Sequence, residues 1–123
     1  MMSVPTDDEF DQLVSDALDS LPKKYTGRMD NVAIVYADEP TQQQRQELNL
    51  RGNQTLLGLY QGVPLTARGG MIKLLPDKIT LFKIPLVYKS KNHTELQENV
   101  RHTLWHEMAH YFGLDHKRIR ELE

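Results

Sequence analysis

The stretch NHTELQENVRHTLWHEMAHYFG, residues 92–113, is the longest run of helical periodicity in the chain, and the rest must pack around it. Leu96, Val100, Leu104, Met108 and Tyr111 recur every third or fourth residue and make one apolar stripe. Trp105, Ala109 and Phe112 widen that stripe, so the C-terminal half of the helix should be buried nearly all round. Thr94 and Gln97 have the spacing of a capping box at its start, and Gly113 stands where a left-handed C-cap is expected.

Four of the five histidines lie within HTLWHEMAHYFGLDH, residues 102–116. His106 and His110 are four apart, so on a helix they share a face one turn apart and can converge on one ion. Glu107 follows the first of them and lies beside such an ion rather than on it. That is where a general base must sit to take a proton from metal-activated water. Gly113 can turn the chain back and bring His116 up as a third ligand. Three protein ligands leave a fourth position open, as in a catalytic rather than a structural zinc site. H-E-x-x-H-x-x-G-x-x-H is thus complete in His106, Glu107, His110, Gly113 and His116. His102, one turn earlier, reads as a neighbour of the site or a surface residue, because a fourth histidine would close it. His93 reads as surface. Tyr60, Tyr88 and Tyr111 are possible oxyanion donors, with packing as the ordinary role for each. Arg68, beside Gly69 and Gly70, could hold a substrate carboxylate or simply be a solvated turn cation. Trp105, next to the first ligand, is read as packing.

Upstream, TDDEFDQLVSDALDSLP predicts an amphipathic helix capped by Thr6 or Asp7 and stopped by Pro22. NVAIVYAD, residues 31–38, is almost wholly apolar and predicts a strand buried on both faces. EPTQQQRQELNLRGN predicts a short exposed helix ended by Gly52-Asn53. TLLGLYQGVPL, residues 55–65, is strand-like but broken by Gly58, Gly62 and Pro64, which suits an edge strand, a bulge or the close approach of another backbone. MIKLLPDKITLFKIPLVYKS predicts one or two strands, with Pro85 at an end free of ladder bonds. Helices and strands do not alternate regularly, so the fold class is α+β with one small mixed sheet in a single domain over residues 1–123.

Composition narrows the functions. Without cysteine there are no disulfides or thiolate sites, so a transition-metal site must use imidazole, carboxylate and water. A net charge of −2 with both signs interspersed argues against a general nucleic-acid or anionic-membrane binder. No apolar run is long enough to cross a bilayer. The N-terminus, MMSVPTDDEF, is acidic and has no apolar signal region, and a cysteine-free chain suits the cytoplasm.

The histidine motif resembles that of the metzincins, zinc-dependent peptidases with a methionine turn below the metal. Here the seven residues after His116 include no methionine. The segments FDQLVSDALDSLP, NVAIVYADEP, LLGLYQGVPLTARG, LPDKITLFKIPL and HEMAHYFGLDH, in that order, resemble more closely a small bacterial family of zincin-like metallopeptidases, over about residues 8–122. That resemblance implies a minimal zincin core of an N-terminal helix, a small twisted sheet and a metal-binding active-site helix. It carries the metal ligands over to His106, His110 and His116 and the general base to Glu107. The third ligand can be aspartate in that family, which keeps Asp115 as a local competitor.

The expected activity is hydrolysis of peptide bonds by Zn2+-activated water. The substrate would be a peptide or unfolded protein segment, docked along the edge of Leu56–Tyr60. The alternative is a non-catalytic zinc-binding module that supports the fold or an interaction surface.

Overall fold

A computed structural model describes residues 2–29, 31–62, 76–114, 117, 118 and 121. The elements run α1 (Asp7–Ser20), α2 (Lys23–Thr26), β1 (Val32–Ala37), α3 (Gln42–Glu47), β2 (Gly58–Gln61), β3 (Asp77–Phe82), α4 (Lys83–Lys89) and α5 (His93–Tyr111). The sheet order is β1-β3-β2, with β1 parallel and β2 antiparallel to β3. The fold is α+β, a small mixed sheet with α1 and α5 packed together and α5 laid on β2 and β3.

α1 starts where its sequence says. Thr6 accepts from the Glu9 N–H and the Glu9 carboxylate accepts from the Thr6 N–H, which satisfies two donors at the helix start. Asp7, Asp8 and Glu9 sit at its positive end. Phe10, Leu13 and Ala17 are the face it buries. Together with Ile79, Leu81, Leu86, Leu96, Val100, Leu104 and Met108 they form one core. Removing a side chain of this size from water stabilises the fold by about 1.5–3 kcal/mol.

Four local expectations need correction. Among the described residues β1 is an edge strand, half-buried along most of its length, with Val35 39% exposed. The strand buried on both faces is β3, where only Lys78 is exposed. Apolar content alone does not distinguish the two, because strand order decides which strand has neighbours on both sides. Of the one or two strands expected over residues 71–90, the described part holds one: β3 ends at Phe82, and residues 83–89, where the strand is expected to run on through Pro85, are helix α4. Pro85 falls in the first turn of α4, where an amide hydrogen has no intrahelical acceptor, so proline costs nothing there. α3 ends before Gly52, at Leu48, with Asn49 at φ 55 taking the left-handed turn. α5 is capped two residues earlier than the Thr94 spacing implies: Asn92 accepts from the Glu95 N–H at 2.9 Å. Residues 63–75, with the Arg68 turn, lie outside the described residues.

Lys83 ties the start of α4 to α1. Its ammonium meets Asp7 at 2.5 Å and lies 5.6 Å and 5.4 Å from the ring centres of Phe10 and Tyr36. Among the described residues no helix is long and apolar enough to cross a membrane.

Candidate metal centre

α5 presents two different surfaces over its last two turns. Leu104, Met108, Ala109 and Tyr111 are fully buried, while His106 and His110 are only half-buried. The helix sets these two four residues apart, and their rings do converge. The centroids are 4.8 Å apart and the Nε2 atoms 3.2 Å apart. Two imidazole nitrogens held about 2.0–2.1 Å from one tetrahedral ion lie about 3.3–3.4 Å from each other. The donor pair therefore fits a zinc-sized ion with almost no adjustment of the nitrogen spacing.

The helix ends in a Schellman turn. The Gly113 N–H donates to the His110 carbonyl and the Leu114 N–H to the Ala109 carbonyl, both at 3.0 Å, with Gly113 at φ 72. The expected left-handed glycine is thus in place and turns the chain directly after the second histidine. Asp115 and His116 lie outside the described residues. Among the described residues no group of three metal-ligating side chains is assembled.

Glu107, between the two histidines in sequence, lies in the contact between α5 and β2. It is 8% exposed. Burial pushes its carboxyl up to about 7, while a hydrogen bond from the Tyr60 N–H works in the opposite direction. The contact is tight because Gly58 has no side chain. A Cβ there would lie 2.7 Å from Thr103 Cγ2 and 3.2 Å from Glu107 Cγ. Of the three readings of the strand glycines, the edge strand is met among the described residues, and the close neighbours of Gly58 are side chains of α5 rather than another backbone.

The remaining candidates separate cleanly. His93 and His102 are exposed. Tyr111 is fully buried, 6.3 Å from the Tyr60 ring. Tyr88 is 69% exposed on α4 and lines a separate groove of about 780 Å³ with Pro40, Arg45 and Pro85. The Tyr60 phenol donates to Asp77 at 2.6 Å. Trp105 packs edge-on against Tyr25 with centroids 5.1 Å apart, the packing role expected of it. Sequence reasoning missed Asp77, a fully buried carboxylate on β3 one diagonal step from Tyr60. An aspartate opening a β-branched strand was its only signal.

The profile of the zincin-like metallopeptidase family matches residues 29–123. Among solved structures, a conserved hypothetical protein from Thermus thermophilus superposes with a TM-score of 0.60 at 19% identity. The match covers 88% of this chain and 94% of that one, a likeness of fold. No curated protein matches the chain.

Proposed function

The chain belongs to the zincin-like metallopeptidase family, and from that premise we propose that it is a zinc-dependent peptidase with Glu107 as general base and His106, His110 and His116 as the metal ligands. The observation that carries this reading is the 3.2 Å convergence of the His106 and His110 Nε2 atoms on the half-buried face of α5. Bound zinc supplies a Lewis acid that polarises a carbonyl and makes water acidic near neutral pH.

The chain's own residues supply the proton transfer and the docking. Glu107 follows the first ligand on α5, so its carboxylate can take a proton from the attacking water and return it to the leaving amine. Among the described residues β2 is an edge strand. The ladder bond from the Phe82 N–H to the Leu57 carbonyl at 2.9 Å sets the alternation. By that alternation the main-chain groups of Gly58 and Tyr60 face away from β3. An extended peptide or unfolded segment would pair along that edge, beside Glu107. The reading treats residues 1–123 as one domain working in the cytoplasm, where a chain without cysteine has nothing to lose to a reducing environment.

The test compares zinc-loaded wild type with Glu107→Ala on a broad peptide library. The expected result is cleavage by wild type, a fall in kcat of about 100-fold or more in the variant, and equal zinc content in both. Equal zinc content with no cleavage by wild type would instead support a structural zinc module.

A further inference from the structure

Tyr60 is held at both ends. Its phenol donates to Asp77 Oδ2 at 2.6 Å, and Asp77 is fully buried at the start of β3. Its main-chain N–H faces off the edge of β2 and donates to the Glu107 carboxylate on α5. Two glycines make this possible from either side. Asp77 stands opposite Gly62 in the continued register, and a Cβ at Gly62 would fall on the Asp77 carboxylate. Gly58 lets β2 sit directly on Thr103 and Glu107. Gly58, Tyr60 and Gly62 alternate onto one face of β2, so the tyrosine stands between two positions stripped of side chain on the side of α5.

We propose that Asp77 and Tyr60 are positioning residues: the buried Asp77–phenol hydrogen bond fixes β2 in the one placement in which the Tyr60 amide meets the Glu107 carboxylate and orients it toward the water it deprotonates. The Tyr60 phenol is thereby committed to holding the strand, which removes it from the oxyanion role considered from sequence. The strand also has one outward donor fewer for a peptide, since the Tyr60 N–H is taken. A docked chain pairs with the outward groups of Gly58 and with the Tyr60 carbonyl. The proposal rests on Glu107 being the general base, but its geometric half is tested without any turnover.

The experiment uses full-length protein and reads the amide resonance of residue 60, its hydrogen exchange, zinc affinity and peptide kinetics. Glu107→Ala should move that amide upfield and speed its exchange by about ten-fold or more, the loss of one charge-assisted hydrogen bond. Tyr60→Phe should reproduce both changes, leave zinc affinity within about two-fold, and lower kcat about ten-fold with KM unchanged. Asp77→Asn keeps an acceptor for the phenol and should retain the wild-type amide resonance. It also serves if Tyr60→Phe does not fold. An amide of residue 60 that is indifferent to Glu107→Ala, or that is wild-type in Tyr60→Phe, would overturn the proposal. So would an Asp77→Asn amide displaced as far as in Glu107→Ala. If wild type cleaves no peptide while the amide shifts occur as described, the placement of Glu107 stands and only its use as a base fails.

Discussion

At Glu107 the carboxylate sits 8% exposed between α5 and β2, and burial pushes its pKa up to about 7 from an ordinary 4.5. In the metal-free protein that shift couples folding to pH. Between pH 4.5 and about 7 the folded state holds a proton at this position that the unfolded chain has released. Stability from this group is therefore fully present below pH 4.5 and is lost as pH rises through about 7. The difference is on the order of 2–3 kcal/mol. Urea unfolding of the metal-free protein at about pH 5 and about pH 8, compared with Glu107→Gln, measures it. The variant should lose less stability than wild type over that interval, and an identical loss in both would remove burial as the cause.

The elements differ in how far their sequences announce them. α1 is legible because period, cap and stop agree, in Thr6 with Glu9 and in Pro22, and α5 because its period and its stop do, with Gly113 in its left-handed turn, although its cap is Asn92 rather than Thr94. The histidine pair is legible for the same reason, since helix geometry alone brings residues four apart onto one side. β1 and α4 are not legible, because what decides them is tertiary. β1 is as apolar as a central strand but lies at an edge, and IPLV turns helical because Pro85 fits a first turn as readily as a strand end. The Asp77–Tyr60 bond joins segments 17 residues apart and leaves no periodic trace. At this scale the C-cap of α5 is the sensitive joint. Gly113→Ala places a Cβ at φ 72 and should cost about 1 kcal/mol. It should also weaken zinc binding, because the turn that sends the chain toward His116 is the one strained. Thermal melts and competition with a zinc chelator check the two effects separately. An unchanged zinc affinity in a destabilised Gly113→Ala would argue that the third ligand comes from elsewhere.

At the scale of the molecule, the described residues form a three-stranded sheet and two main helices, with the candidate site on one helix beside an edge strand. The core does not need a metal to close, since α1, α5 and β3 bury a continuous apolar cluster between them. Chelation should therefore lower the melting temperature without abolishing cooperative unfolding, whereas a domain folded by its metal would lose its transition altogether. Lys83 tests the joint between α1 and the sheet. Lys83→Ala removes an ion pair and a buried stem lying over two rings, and should cost about 1–2 kcal/mol in denaturant unfolding while leaving zinc affinity unchanged. The central claim is that the α5 imidazoles hold one catalytic ion. Its most direct test is zinc stoichiometry by elemental analysis of the dialysed wild type beside His106→Ala, His110→Ala and His116→Ala. One zinc per chain in wild type and a fraction of that in each variant is the result expected here. A wild type that retains no zinc, or variants that retain as much as wild type, would contradict it.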